Sequence, residues 1–174
     1  LQSLNGNWKF RYYESIYDLQ DEFYKTDYPV EEYDTVPVPG VWQNYGYEPH
    51  QYIESDYPFP VNPPYVPLDN PCGAYIHKFQ YKTKADASKV YLEFEGVDSC
   101  FYVWLNGIYV GYGQVSHSLN EFDITDQIAE GENTLAVLVL KWCDGSYLED
   151  QDKFRMSGIF RDVYLLERPK QCIY

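Results

Sequence analysis

The sequence has little positive charge and no long apolar run. Its 13 Lys and Arg residues stand against 27 Asp and Glu, which gives a formal net charge of −14 at pH 7. A nucleic-acid binder needs a basic face to neutralise phosphates, and an anionic membrane surface attracts basic proteins, so the composition argues against both partners. No stretch approaches the roughly 20 consecutive apolar residues that a membrane-spanning helix requires.

Cysteine is sparse and irregularly placed. The four cysteines, Cys72, Cys100, Cys143 and Cys172, form no CxxC pair. Neither the disulfide framework of a small secreted domain nor a structural zinc site is therefore expected. Cys100 and Cys143 stand within apolar runs, which predicts buried free thiols. No secretory signal pattern opens the sequence, so we expect a reducing, cytoplasmic compartment.

Motifs of autonomous catalysis are also missing. His50, His77 and His117 are far apart in the sequence and match no zinc pattern. No nucleophile elbow, P-loop or dinucleotide-binding glycine motif opens a helix. His77 falls on the apolar face of a predicted strand, which favours a core residue over a ligand.

Alternation of apolar and polar residues dominates what is present. Aromatic residues make up 19% of the chain, and rings that alternate with polar residues are typical of half-buried strands. At least seven strands are predicted, near 8–12, 75–82, 90–95, 100–105, 108–111, 133–142 and 160–167. Asn106 and Gly107 supply the positive φ angles of a tight hairpin. The pattern predicts an all-β sandwich, as one domain over residues 1–174.

Two features depart from that alternation. Ser15 can cap a short N-terminal helix with Asp18 three residues on, and Ile16, Leu19 and Phe23 share one helical stripe. Residues 28–70 are punctuated by prolines, which fix φ and remove backbone donors. We predict that this segment is an extended arm that lies across a neighbouring domain.

Residues 144–163 form a long, charged connection between two apolar runs. Loops longer than about a dozen residues usually carry function. Glu149, Asp150 and Asp152 are close enough in sequence to suggest a glycosidase carboxylate pair, but a small sandwich offers no deep pocket around one loop. A carboxylate here can instead accept hydrogen bonds from sugar hydroxyls or bind a hard cation, in a site completed elsewhere.

Several motifs resemble the N-terminal sugar-binding domain of family-2 glycoside hydrolases, most closely the β-galactosidases of the bacterial lactose-operon type. They occur in order as LNGNWKF (4–10), PGVWQNYGY (39–47), YPFPVNPPY (57–65), VDSCFYVWLNG (97–107), DGSYLEDQD (144–152) and RMSGIFRDV (155–163). The resemblance implies a jelly-roll sandwich of the galactose-binding-domain type. An immunoglobulin-like domain and a barrel would follow, and the barrel would carry both catalytic glutamates. The missing initiator Met and the abrupt end of the chain also predict a segment of a longer enzyme.

The resemblance also implies site residues and ions. Asp152 matches the aspartate that contacts the galactose 6-hydroxyl and a sodium ion shared with the barrel. Glu54 stands where the family carries a sugar-binding Asn, although an ionised Glu accepts and cannot donate hydrogen bonds. Magnesium would belong to the parent enzyme and not to this chain. Glu149, Asp150, Arg155, Arg161 and Asp162 are predicted to form ion pairs against the barrel.

Three functions follow as hypotheses. The chain is expected to be a non-catalytic domain of a β-galactosidase that hydrolyses terminal β-D-galactosides with retention, as part of a homo-oligomer. A free-standing carbohydrate-binding module shares the fold and the aromatic excess. A pure scaffold, or the same domain in a β-glucuronidase or β-mannosidase, is the remaining alternative.

Overall fold

The described residues form fourteen strands and three one-turn 3₁₀-helices. A computed structural model describes residues 1–53, 57–84, 87–149, 152–169 and 171–172. The strands are β1 Gln2–Ser3, β2 Gly6–Tyr13, β3 Asp34–Val38, β4 Tyr52–Ile53, β5 Cys72–Tyr81, β6 Ala87–Phe94, β7 Val97–Asp98, β8 Cys100–Leu105, β9 Ile108–Gln114, β10 Asn120–Asp123, β11 Gly131–Leu140, β12 Lys153–Phe154, β13 Gly158–Ile159 and β14 Val163–Pro169. The 3₁₀-helices are Ile16–Asp18, Trp42–Tyr45 and Asp144–Tyr147.

Two antiparallel sheets face each other. One has six strands in the order β3-β2-β5-β11-β8-β9, and the other has four in the order β1-β14-β6-β10. Two small sheets, β4–β12 and β7–β13, join loops at one end. The hairpin between β8 and β9 turns on Asn106 and Gly107, whose φ angles are 54° and 79°. The predicted all-β sandwich and this hairpin are confirmed.

The main core lies between the two sheets, where the inward residues of alternating strands meet. Trp8 and Phe10 of β2 are fully buried there, as are Leu92 and Phe94 of β6. Full burial of one such side chain contributes roughly 1.5–3 kcal/mol to folding. His77 stacks on Trp8 with ring centroids 4.7 Å apart. His77 is half-buried against this core, and burial lowers its pKa.

A second apolar cluster covers the outer face of the six-stranded sheet. Phe23 and Tyr33, from the segment after β2, pack on Ile76 of β5 and on Ala136 and Leu138 of β11. The two central strands are therefore buried on both faces, which explains why β11 reads as an almost continuous apolar run. Cys72, Cys100 and Cys143 are buried free thiols, as predicted for Cys100 and Cys143.

The predicted N-terminal helix is shorter than expected. Ser15 and Asp18 do form a capping box, but the helix is a single 3₁₀ turn that ends where Leu19 adopts an extended conformation. None of its three residues is buried. A longer helix would therefore gain little stability from tertiary packing. Phe23 reaches the second cluster from the turns that follow, and not from a helical stripe.

Residues 28–70 are not the single extended arm that the prolines predict. β3 is an edge strand that pairs with β2 and buries Val36 and Val38. Pro37 is tolerated there because an edge strand leaves one side without ladder partners. Trp42 is buried in the main core, whereas the stretch around Val61 and Tyr65 is exposed and forms no strand. The alternating inward residues Val36 and Val38 therefore favour a strand here despite Pro37.

Candidate functional site

The long loop after β11 is bonded to the proline-rich segment through one tyrosine. Tyr147, at the end of the third 3₁₀-helix, is buried. Its hydroxyl donates to the carbonyl of Tyr65 at 2.6 Å and accepts from the backbone N–H of Asn62 at 3.1 Å. Tyr57 donates in turn to the carbonyl of Tyr147 at 3.0 Å. The two predicted functional segments thus form one unit.

A two-stranded sheet brings the predicted site segments together. Tyr52 pairs with Phe154 and Ile53 with Lys153, between β4 and β12. The backbone N–H of Arg155 extends the ladder to the carbonyl of Gln51 at 2.8 Å. The residue just before β12 is Asp152, so this carboxylate lies beside β4, near the middle of the proline-rich segment. Glu54, the other predicted site residue, lies outside the described residues.

Asp152 presents an exposed carboxylate at the edge of this small sheet. The Tyr52 hydroxyl donates a hydrogen bond to its Oδ1. That bond raises the pKa of Tyr52, because a phenolate beside a carboxylate is unfavourable. Tyr52 is 49% exposed, so both groups can be reached by a ligand. Sequence reasoning missed Tyr52, whose position two residues before Glu54 was the only available signal.

Exposed rings flank the carboxylate. Phe154 is 54% exposed and packs against Tyr52 with ring centroids 5.3 Å apart. The His50 ring lies 6.5 Å from Phe154 in an edge-on arrangement. An exposed carboxylate bordered by aromatic faces suits a sugar, because hydroxyls donate to the carboxylate while C–H faces pack on rings. We call Asp152, Tyr52, Phe154 and His50 the carboxylate patch.

Hydrogen bonds within the domain hold the loop after β11, and they involve two residues that were predicted to contact the barrel. Glu149 accepts hydrogen bonds from the backbone N–H and the hydroxyl of Ser116, both at 2.7 Å. Arg155 is buried and donates to the carbonyl of Glu149 at 3.1 Å. Glu149 and Arg155 therefore both bond within the domain, and their ion pairs with a barrel stay a prediction. These two residues hold the chain on either side of Asp152.

An ion pair lies directly behind the carboxylate patch. Lys153 Nζ is 3.5 Å from Asp98 Oδ2. Burial raises the pKa of the Asp98 carboxyl, while the Lys153 charge acts in the opposite direction. A cavity of about 280 Å³ adjoins the pair, lined by Val41, His117, Phe154, Met156 and Phe160 together with the two charged residues.

The described residues offer part of a cation site only. Among them, no group of three or more His, Cys, Asp and Glu side chains could hold a metal ion. Asp152 and Tyr52 supply hard oxygen donors, which fit an alkali or alkaline-earth cation. Further ligands would have to come from outside the described part of the chain. No helix in that part is long and apolar enough to cross a membrane.

The match to known sequences covers almost the whole chain. The family model described as glycosyl hydrolases family 2, sugar binding domain, matches residues 1–169. The chain belongs to this family. A protein named beta-galactosidase from Actinobacillus pleuropneumoniae is 54% identical over 170 residues, which cover 98% of this chain and 16% of that protein. A beta-galactosidase from Staphylococcus xylosus is 53% identical, with 98% and 17% covered.

A solved structure agrees with the architecture. The crystal structure of Bacteroides uniformis beta-glucuronidase has a TM-score of 0.71 and 22% identity, covering 97% of this chain and 18% of that one. At this identity the likeness shows the fold alone. The family-2 sugar-binding domain and its sandwich, which the sequence motifs predicted, are both confirmed. The chain spans about one sixth of the length of the two related sequences.

Proposed function

We propose that this chain is the N-terminal, non-catalytic domain of a β-galactosidase and that it supplies Asp152 to an active site completed by a catalytic barrel. The parent enzyme would hydrolyse terminal β-D-galactosides with retention, through a covalent galactosyl-enzyme formed on barrel glutamates. The observation that carries the proposal is the exposed Asp152 carboxylate, which the domain anchors firmly from behind. High identity to proteins named beta-galactosidase supports the substrate.

Asp152 would orient the sugar in this site. Its carboxylate accepts a hydrogen bond from a sugar hydroxyl, for which the galactose 6-hydroxyl is the proposed donor. Tyr52 holds one carboxylate oxygen and leaves the other available. Sodium, when bound by Asp152 and barrel ligands, would supply positive charge next to that hydroxyl. Glu54 is proposed as a second sugar contact that accepts hydrogen bonds.

Neighbouring domains of the same polypeptide would cover the loop surface. Leu148 is 90% exposed between two anchored residues of the site loop, and Val61 and Tyr65 are exposed on the adjoining segment. Apolar side chains clustered beside a functional loop are typical of an interface. We propose that the barrel packs here, with an immunoglobulin-like domain in the same chain. The parent would be a cytoplasmic homo-oligomer that binds magnesium outside this domain.

Substitution of Asp152 in the full-length enzyme tests this proposal. Loss of a hydrogen bond to a charged group costs about 1.5–3 kcal/mol, so Asp152→Asn should lower kcat/KM for a galactoside roughly 10- to 100-fold. The variant should also lose its response to sodium. Asp126→Asn removes an exposed carboxylate from a distant turn and is the control. Unchanged kinetics and sodium response in Asp152→Asn would refute the proposal.

A free-standing carbohydrate-binding module is the second candidate, because the edge of the six-stranded sheet exposes aromatic rings. Tyr109 and Tyr112 of β9 are exposed, and their rings lie 5.8 Å from Trp104 and 4.9 Å from Tyr102. Calorimetric titration of the isolated chain with galactose and lactose separates the two candidates. Saturable binding favours the module, whereas a folded chain without binding fits a half-site. Comparing galactoside, glucuronide and mannoside turnover by the parent enzyme tests the substrate.

A further inference from the structure

Lys153 points inward where its neighbour Asp152 points outward. Successive residues of a strand face opposite sides, and here the Asp152 side chain is exposed whereas that of Lys153 is only 22% exposed. Lys153 also pairs with Ile53 through the backbone of the small sheet. Any force that fixes the Lys153 side chain therefore acts on the adjacent Asp152 backbone.

Asp98 is a rigid partner for that lysine. It lies on β7, opposite Gly158 of β13, and its side chain is 16% exposed. The next residue, Ser99, donates its backbone N–H and its hydroxyl to the carbonyl of Leu140, at 3.1 and 3.2 Å. Asp98 is thus held next to the end of the central strand β11 by its neighbour Ser99.

The surroundings make the pair costly to break. Val41, Met156 and Phe160 form apolar walls of the adjoining cavity, which reduces solvent screening of the two charges. Removing one partner of a largely buried ion pair leaves a charge without compensation. The pair therefore keeps the beginning of β12 at a fixed distance from the main sheet.

We propose that Asp98 and Lys153 are positioning residues that hold Asp152 in the geometry needed for sugar binding. The inference rests on the proposed function of Asp152. Neither residue touches the sugar, and both act through the backbone that joins Lys153 to Asp152. A displacement of about 1 Å at a binding group can reduce a rate by up to two orders of magnitude, so the pair has a measurable effect.

Variants of the full-length enzyme test this inference by ligand binding as well as by activity. Lys153→Met and Asp98→Asn each remove one charge at nearly constant volume, and the double variant removes both. Lys153→Arg keeps the charge. Lys89→Met is the matched control. It breaks an exposed ion pair in the four-stranded sheet, in which Lys89 Nζ of β6 lies 2.7 Å from Asp123 Oδ2 of β10. The probe is a non-hydrolysable thiogalactoside, titrated calorimetrically in sodium and in potassium buffer.

The single variants should bind the thiogalactoside about 5- to 50-fold more weakly than the wild type. The double variant should be no weaker than the worse single variant, because both changes remove the same interaction. Lys153→Arg should retain most of the affinity, and Lys89→Met should bind like the wild type. The sodium concentration at half-maximal activity should rise in both single variants. If Lys153→Met does not fold, Lys153→Gln replaces it in the same comparison.

The outcomes separate this inference from the proposal on which it rests. Wild-type affinity in Lys153→Met and Asp98→Asn, with weak binding in Asp152→Asn, would overturn the positioning role and leave the function of Asp152 intact. Additive losses in the double variant, with no recovery in Lys153→Arg, would also overturn it. Wild-type binding by Asp152→Asn would instead refute the proposed function.

Discussion

A buried glutamate should make the stability of this domain fall as pH rises. Glu93 of β6 is 1% exposed, and its Oε2 has no hydrogen-bond partner within the described part of the chain. Glu121 lies opposite on β10 and pairs with Arg168 at 2.6 Å. Burial, and then the nearby Glu121 carboxylate, raises the pKa of Glu93 from about 4.5 to about 7. Glu93 is therefore an uncharged acid in the folded domain at mildly acidic pH.

The sign of the effect follows from proton binding. Between pH 4.5 and 7 the folded chain binds more protons at Glu93 than the unfolded chain does, so the free energy of unfolding falls as pH rises. The contribution of Glu93 to the free energy of unfolding is complete below about pH 4.5 and is lost above about pH 7. A difference of this size corresponds to at most about 3 kcal/mol. Glu93→Gln keeps the shape without the charge, so it should be more stable than the wild type at pH 8 and similar at pH 4.5.

Urea unfolding at pH 4.5, 6, 7 and 8, followed by tyrosine and tryptophan fluorescence, measures this dependence. The stability difference between Glu93→Gln and the wild type should grow between pH 4.5 and 7 and level off between pH 7 and 8. Glu31→Gln removes an exposed acid and serves as the control, with a difference that stays nearly constant. A constant difference for Glu93→Gln would show that burial does not perturb this carboxyl.

Three further substitutions probe the link between the loop and the core. Tyr147→Phe removes hydroxyl hydrogen bonds to the proline-rich segment and should cost about 1–3 kcal/mol of unfolding free energy, as measured by urea denaturation. Tyr52→Phe removes the donor to Asp152; the parent enzyme should show a higher KM for galactosides with little change in the melting temperature of the domain. Gly73→Ala places a Cβ 2.5 Å from the Phe10 ring and should destabilise the domain by about 1–3 kcal/mol through overpacking, which thermal unfolding would detect.

Local patterns predicted the sheets well but the connecting segments poorly. Alternation specifies which face of β2 or β6 is buried, whatever lies opposite, so those strands could be read directly. A capping pair such as Ser15 and Asp18 marks only where a helix begins. Its length depends on burial of the following turns, which is a property of the tertiary structure. Burial of Val36 and Val38, which also depends on the tertiary structure, explains why Pro37 did not prevent β3 from pairing at a sheet edge.

The candidate site likewise combines residues that local sequence predicted with residues that only the tertiary structure brings together. Loop length and motif resemblance identified Asp152, because both are properties of one continuous segment. Tyr52, which is 100 residues away in sequence, and Asp98 contact that loop only through the fold. Glu149 and Arg155 show the opposite case, since charged residues of an apparent interface turned out to bond internally. The sequence thus predicted Asp152 as a candidate ligand group but not the residues that contact the loop around it.

The distribution of charge around the loop explains how an exposed carboxylate can be kept in place. Glu149 is bound twice by Ser116, in the turn after β9, and Lys153 is tied to Asp98 of the small β7–β13 sheet, so residues on both sides of Asp152 are attached to other parts of the domain. Among the described residues, Asp152 accepts a hydrogen bond from Tyr52, whose side chain is exposed. Binding by a preorganised group loses less conformational entropy than binding by a mobile one. Under the proposed function, this non-catalytic domain would affect catalysis because it would determine where the Asp152 carboxylate lies.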